Sequence, residues 1–489
     1  MMTNVALLAL ALGLASGTSV LEGPRSSTRA LAPLVPGAVK RGRKNSATVL
    51  FLMSDTGGGH RASAQALEAA LLAEIGTSLD LNIELVDIWT LYGTYPYNRQ
   101  VGAYSFFGKH PRFWKALYYW YSWWPGRRMD QIWSTLTNRR RMAAAIQAHN
   151  PDMIVSVHPM TQTVPINALD AIQRRHERAR RADLPARAQS SGALAWRRPP
   201  FATVVTDLNS AHPMWFHRRA DLVFVPSKDL HKRARWFGVP ELRIRQHGLP
   251  VRKEFWQRTL GEKETPPDAW PTPDAVRALA KAAAKKRLGL DPERPVVLVV
   301  MGGDGFGANL ESMVGRLVAR LSLDQTAAQI VVVCGRNDEM RRKIEAKHCT
   351  PALGSQGSGG GPQLGTRSAQ VVALGFVDYM HELMDATDCL LTKAGPGTIA
   401  EAAIKALPVV VTSYLPGQEA GNVRFVTENG FGVFEPRPRE AAQTVSIWLR
   451  NPDLMALMAR QASKAGRPSA SKEIARDLAA ALKQHLEIA

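Results

Sequence analysis

Cysteine is scarce in this 489-residue chain, which holds three: Cys334, Cys349 and Cys389. An odd, sparse set argues against a disulfide framework, and no pair has metal-site spacing, so a reducing compartment is expected. Long apolar runs are missing too. No stretch of eighteen or more apolar residues follows the first thirty, and the mature chain is therefore not expected to span a bilayer. Acids are outnumbered, 42 Asp and Glu against 62 Lys and Arg, which leaves a formal net charge of +20. That excess calls for a polyanionic partner, whether a membrane surface, a nucleic acid or a phosphorylated substrate. What is present is ordinary for a globular protein, 45% hydrophobic and 21% charged, with length for two domains plus appendages.

The first 45 residues read as a targeting leader. Val5 to Leu14 is an apolar run of signal-peptide length, and Ala15, Ser16 and Gly17 suit a cleavage region. From Thr18 to Ser46 the chain carries Arg25, Arg29, Lys40, Arg41, Arg43 and Lys44 against the single Glu22, in the manner of a transit peptide. Signal and transit segments in tandem resemble the bipartite leader of a plastid surrounded by extra membranes. The alternative is a secretory signal joined to a disordered linker, which the few cysteines disfavour.

Two stretches share one grammar of strand, glycine loop and helix. Thr48 to Met53 is β-rich and ends in Ser54-Asp55-Thr56-Gly57-Gly58-Gly59-His60, after which Ala64, Leu67, Ala70 and Leu71 recur at helical spacing. Val296 to Met301 leads likewise into Gly302-Gly303-Asp304-Gly305-Phe306-Gly307 and a helical pattern from Leu310 to Leu321. Apolar runs at 153–157, 202–205, 222–225, 330–334, 371–373, 389–391 and 409–412 alternate with helical patterns, as a doubly wound α/β fold requires. The expected organisation is a first Rossmann-like domain at 46–257, a linker at 258–287 marked by Pro266, Pro267, Pro271 and Pro273, a second at 288–438, and helices at 439–489 that return to brace the first. A basic insertion at 174–200 and a Gly/Ser-rich loop at 354–366 look dispensable for chemistry.

The segment Thr392-Lys393-Ala394-Gly395-Pro396-Gly397-Thr398 follows a strand and starts a helix, so backbone N–H groups near Gly397 and Thr398 can receive a phosphate. The alternative is a tight strand-to-helix turn. Glu401, about one turn further on, is placed to accept hydrogen bonds from ribose hydroxyls. The loop Pro416-Gly417-Gln418-Glu419-Ala420-Gly421-Asn422 gathers the amides and carboxylates that bind sugars, or else is a polar helix cap. In the first half His60 opens a helix directly after three glycines and is the candidate base, because a helix N-terminus keeps imidazole neutral near pH 7. A histidine that only caps its helix is the competing reading.

Residues 90–145 hold nine Lys or Arg against one acid, together with Trp114, Trp120, Trp123, Trp124 and Trp133. Tryptophan rests at headgroup level while basic residues attract anionic lipids, so this insertion reads as a membrane contact. Nucleic-acid binding and a solvated basic face over an aromatic core are the rival explanations.

Met53 to Ala64, Val205-Thr206-Asp207-Leu208, His212-Pro213-Met214-Trp215-Phe216-His217, Lys393 to Glu401 and Pro416 to Asn422 together resemble the monogalactosyldiacylglycerol synthase family, from about Val49 to Phe434. A more distant likeness is to the bacterial transferase that adds N-acetylglucosamine to a lipid carrier. The resemblance implies an α/β fold of GT-B type, with two Rossmann-like domains facing a cleft. It implies inverting transfer from UDP-α-galactose to the sn-3 hydroxyl of diacylglycerol, with no cofactor, no metal and no nucleic acid. Anionic lipid is the expected activator, and the expected place is the plastid envelope, as a peripheral protein. His60 matches the base, and Glu401 the ribose ligand. Gln418, Glu419 and Asn422 match the sugar-side loop, with Gly303, Lys393, Gly395, Gly397 and Thr398 also on the donor. Arg252 neutralises the diphosphate, as a reaction without a metal requires, and Val377 meets uracil. Gly59, Pro96 and Trp215 resemble acceptor or lipid contacts.

Three other functions are weighed. A related lipid transferase could use another sugar, since galactose and glucose differ in one hydroxyl's orientation. A nucleotide-dependent oxidoreductase predicts Gly-x-Gly-x-x-Gly, and Gly302 to Gly307 spaces its glycines differently. A non-catalytic membrane protein predicts losses in the donor loop, and none is visible at Lys393, Gly397, Glu401, Gln418 or Glu419.

Overall fold

The computed structural model describes residues 46–183, 196–256, 274–301, 310–349 and 369–488. The leader, the Gly/Ser-rich loop, the proline-marked stretch up to 273 and Gly303 lie outside them.

In the first unit six strands form one sheet: β1 (Ser46–Met53), β2 (Asp80–Asp87), β3 (Met153–Ser156), β4 (Phe201–Val204), β5 (Leu222–Val225) and β6 (Ile244–Gln246). Their order is β2-β1-β3-β4-β5-β6, and every neighbouring pair is parallel. A parallel sheet is covered on both faces, so its central strands read as continuous apolar runs rather than alternating ones. Val49 to Met53 is fully buried for that reason. The helix Gly58–Ile75 packs through Ala64, Leu67, Ala70 and Leu71, the positions its spacing predicted.

The second sheet contains β7 (Val296–Val300), β8 (Gln329–Val333), β9 (Gln370–Leu374), β10 (Cys389–Lys393), β11 (Val409–Ser413) and β12 (Gly432–Phe434). Its order is β12-β11-β10-β7-β8-β9, again all parallel. This is the Rossmann order 3-2-1-4-5-6, whereas the first sheet runs 2-1-3-4-5-6, the flavodoxin-like order extended by one strand. In each sheet the chain direction across the strands reverses once, beside β1 and β3 in the first and beside β7 and β10 in the second. Such switch points are where open α/β sheets bind ligands, outside the carboxyl ends of the strands.

By contacts the first unit comprises residues up to Thr206, Ala211–Pro250 and Ser471 onward, and the second comprises Asp207–Ser210 and Val251–Ala470. Two segments differ from expectation. Asp274–Arg287, placed in a linker from its prolines, is a helix of the second unit: Lys281 and Lys285 pair with Asp388, which also accepts from the backbone of Val296. The basic stretch from residue 174 begins as the last turns of the helix Thr163–Asp183. At the C-terminus, Pro438–Leu449 and Pro452–Ala465 stay with the second unit. The last helix, Ala470–Ile488, braces the first: His247, just after β6, meets Glu473 and Asp477 at 3.0 and 2.8 Å.

Gly432 on β12 marks one close approach, since a Cβ there would stand 2.0 Å from the Val409 carbonyl oxygen and 2.6 Å from a Val426 methyl. Gly432→Ala is expected to destabilise the chain by about 1–3 kcal/mol through this overlap, which a urea titration would read as a lower midpoint at unchanged slope.

Candidate functional site

His60 lies on the third residue of its helix, beside the first sheet's switch point. Gly57, at φ 74, takes the chain from β1 into the helix through a conformation that L side chains rarely adopt. Asp55 steadies the loop: its carboxylate accepts two bonds from Arg61, at 2.7 and 2.5 Å, while its own N–H donates to Asp87. His60 Nδ1 is 2.9 Å from the Val157 carbonyl, one residue past β3, and 2.9 Å from Thr206 Oγ1. A carbonyl only accepts, so Nδ1 carries the proton and Nε2 holds the lone pair. Burial lowers the pKa from 6.5 to about 4, against the raising effects of the Val157 bond and Asp55. The imidazole is therefore neutral at pH 7 with one defined tautomer.

The wall around it is aromatic. His158 stands edge-on to His60 at 4.6 Å between centroids, and its Nε2 lies 3.0 Å from Thr56 Oγ1. Burial, with His60 next to it, keeps His158 neutral as well. The Trp215 ring is 6.1 Å from His60 and 0% exposed. Trp215, expected as a lipid contact, is packed in the core beside the histidine. Pro96 is buried too, and its exposed neighbour is Tyr95. Gly59 is exposed, with open space where a Cβ would stand.

The second unit gathers its residues at the carboxyl ends of β9, β10 and β11. Gly395 precedes the helix Pro396–Ile404, whose N-terminus has Pro in its first turn and no side-chain cap. A Cβ at Gly397 would meet nothing within 4 Å, so the turn is open above its backbone N–H groups, with Thr398 half-buried beside it. Lys393 Nζ is 2.8 Å from Glu419 Oε1, and Glu419 Oε2 accepts from the Leu415 N–H. Glu401 is held by Arg252 through two parallel bonds, at 2.9 and 3.1 Å. Burial pushes the Glu401 pKa up and Arg252 opposes it. Val377, after β9, is buried beneath the exposed Phe376.

Two residues expected on the sugar side make hydrogen bonds inside the protein. Asn422 is 0% exposed; its amide donates to the Ala394 carbonyl and its oxygen accepts from the Asn209 N–H, which ties the β10 turn to the helix Ala420–Glu428. Glu419 is buried and uses both oxygens as described, so it orients Lys393 rather than facing solvent. Gln418 is half-buried, and its side chain makes no hydrogen bond among the described residues, whereas its carbonyl accepts from Ser210. Sequence reasoning missed Val157 and His158 around His60, and it had Thr206 only within the Val205 to Leu208 motif, with no task assigned to it. The only signal for them was position, each lying just past the end of a parallel strand.

Known proteins align with both halves. Residues 60–179 and 193–251 match the profile of the monogalactosyldiacylglycerol (MGDG) synthase family, and residues 296–433 match that of the glycosyltransferase family 28 C-terminal domain. Monogalactosyldiacylglycerol synthase, chloroplastic, of Spinacia oleracea is 34% identical over 475 residues, 96% of this chain and 77% of that one. Monogalactosyldiacylglycerol synthase 1, chloroplastic, of Arabidopsis thaliana is 34% identical over 437 residues, 88% of this chain and 70% of that one. Among solved structures, MurG of Acinetobacter baumannii aligns at a TM-score of 0.50 and 13% identity, covering 89% of this chain and 99% of that one. The fold is GT-B.

Four histidines set a pH limit on stability, His158 and His212 buried and His60 and His217 half-buried. His60 and His217 titrate at about 4, His212 at about 3 and His158 well below 6.5, all chiefly through burial. Each is depressed in the folded state, so its contribution is whole above the unfolded value near 6.5 and is lost as pH falls toward the folded value. Between pH 6.5 and about 4, denaturation midpoints are expected to fall, by up to about 1.4 kcal/mol per pH unit for each such histidine.

Proposed function

This chain belongs to the monogalactosyldiacylglycerol synthase family, and from that premise we infer that it transfers galactose from UDP-α-galactose to the sn-3 hydroxyl of 1,2-diacylglycerol, with inversion to the β-galactolipid. The observation that carries the mechanism is the anchored, neutral His60. Its Nε2 takes the proton as the acceptor oxygen attacks the anomeric carbon. A carbonyl on Nδ1 supports this role, because it fixes the tautomer and stabilises the imidazolium that forms.

The second unit holds the donor. The uncapped helix at Gly395 to Thr398 receives the diphosphate, and Lys393 and Arg252 neutralise the charge that builds on leaving UDP without a metal or cofactor. Glu401 meets the ribose, and Arg252 sets its carboxylate for that purpose. Val377 borders the uracil, and Gln418 is the sugar-facing amide. Gly303 completes the donor side.

The acceptor is a lipid, so the chain must work at a membrane surface. No described helix is long and apolar enough to cross one. The helices Pro111–Ser122 and Trp124–His149, with Trp123 between them, expose Phe113, Trp123, Trp124, Ile132, Trp133 and Leu136 among arginines. Aromatic rings beside basic residues suit an anionic bilayer surface, and the chloroplastic relatives support the plastid envelope as its place.

The full chain given labelled UDP-galactose, diacylglycerol and phosphatidylglycerol vesicles in EDTA is expected to form galactolipid. His60→Ala should lower kcat by about 10²–10⁴-fold with UDP affinity retained; a smaller loss would remove His60 as base. Consumption of UDP-glucose in preference would move the chain to another sugar. Trp123→Ala with Trp124→Ala should weaken sedimentation with these vesicles while activity toward detergent-dispersed diacylglycerol persists.

A further inference from the structure

The helix Gln100–Lys109 stands against the glycine loop that leads to His60. A Cβ on Gly57 would lie 3.4 Å from the Tyr104 ring, so this tyrosine covers the loop just ahead of the candidate base. Tyr104 meets Trp114 edge-on at 5.5 Å between ring centres, and Trp114 also meets Phe107, at 6.4 Å. Tyr104 and Phe107 follow Gln100 at i+4 and i+7, spacing that puts all three on one helix face. Ala103, Phe107, Phe106, Trp114 and Leu117 pack as a small apolar cluster apart from the main core.

Two polar side chains in this apolar setting have nothing to bond. Both ends of the Gln100 amide are buried without a hydrogen-bond partner among the described residues, and so is Trp114 Nε1. An indole N–H only donates, and an amide carries its NH₂ whichever way it is turned, so two donors lack acceptors. Other polar groups of the same insertion are satisfied within the protein: the Thr94 N–H donates to Asn138 Oδ1 at 2.7 Å, and the Tyr97 hydroxyl to Asp130 Oδ1 at 2.8 Å. Buried donors without acceptors cost free energy, and leucine and phenylalanine would fill these two places without that cost. A partner that supplies carbonyl oxygens while its apolar parts lie along aromatic walls removes it.

We propose that Gln100 Nε2 and Trp114 Nε1 donate to the ester carbonyls of diacylglycerol and so hold its glycerol unit by the loop that carries His60. Ester carbonyls only accept, which matches two donors, and the acyl chains match the rings of Tyr104, Phe107 and Trp114. This rests on the galactosyl-transfer reading and deepens it, since it names the part of the acceptor that is recognised. The consequence is selection of ester-linked over ether-linked lipids, which differ only in those carbonyl oxygens.

The test compares dioleoylglycerol with its diether analogue, di-O-oleylglycerol, as acceptors for the full chain with UDP-galactose, in neutral detergent micelles at matched mole fraction. The unsubstituted chain should favour the diester in kcat/KM by about tenfold or more, because a site built to hydrogen-bond a group rejects the analogue that lacks it. Gln100→Leu and Trp114→Phe should each lower that preference by about threefold or more, through the diester alone, with the KM for UDP-galactose unchanged. The melting temperature of Gln100→Leu should not fall; a clear drop would mean that the amide is bonded inside the protein and would overturn the proposal. Equal kcat/KM of the unsubstituted chain toward the two lipids would overturn it and leave galactosyl transfer standing. Equal losses on both lipids in the variants would make these side chains part of the wall, not carbonyl ligands, and a raised KM for UDP-galactose would move them to the donor; either refutes the site. No product from either lipid would remove the transfer reading and the site together.

Discussion

The parallel backbone ladder determines where everything else can be. Because every strand of a sheet runs the same way, all the connections that leave strand carboxyl ends emerge on one edge, and the helices that follow present their amino ends there. His60 owes its place to this, since its helix starts after β1 and its carbonyl partner follows β3 on the adjacent strand. The Gly395 turn owes its place to the same constraint after β10. Neither needs a special scaffold. A switch in strand order leaves room above the sheet, and the glycines allow a ligand to approach the backbone.

Burial then decides which polar groups are available for chemistry. The His60 ring is packed against protein on its Nδ1 side, so its tautomer is set by one carbonyl and one hydroxyl. Burial acts on Glu401 too, where a two-point guanidinium contact holds a carboxylate that burial would otherwise protonate more readily. Removing Arg252 leaves the Glu401 carboxylate without its partner inside the protein, whereas Arg252, 34% exposed, can turn to water when Glu401 is lost.

The sequence was informative wherever apolar composition and position agreed. Nine of the twelve strands stand out as short apolar runs, because central parallel strands are covered on both faces. The three that do not, β2, β6 and β12, are all at sheet edges, where Asp80, Glu84, Arg245 and Gln246 are tolerated and three residues can suffice. The helix at 274–287 was hidden by prolines just before it, although its alanines and lysines carry helical preference. In the candidate sites, glycine spacing marked loops that lie at strand carboxyl ends, but the contacts of individual polar residues did not follow from it. Asn422 and Glu419 have the composition of sugar ligands, yet Asn422 is engaged by two backbone groups and Glu419 by Lys393 and the Leu415 N–H. Trp215 has the composition of a lipid anchor and is core. Burial depends on what the rest of the chain brings alongside, which no local motif records.

The buried bracing at Asn422 and Glu419 also constrains how this pocket can diversify. A replacement at either position must repair two hydrogen bonds inside the protein before it changes anything a sugar meets, and an unrepaired buried group costs about 1–3 kcal/mol. Gln418 carries no such debt, for its internal contact is made by the main chain. Drift in donor preference therefore has a cheap route through one half-buried amide and costly routes on either side of it. On the proposed donor site, change in sugar choice is thereby confined to a narrow rim.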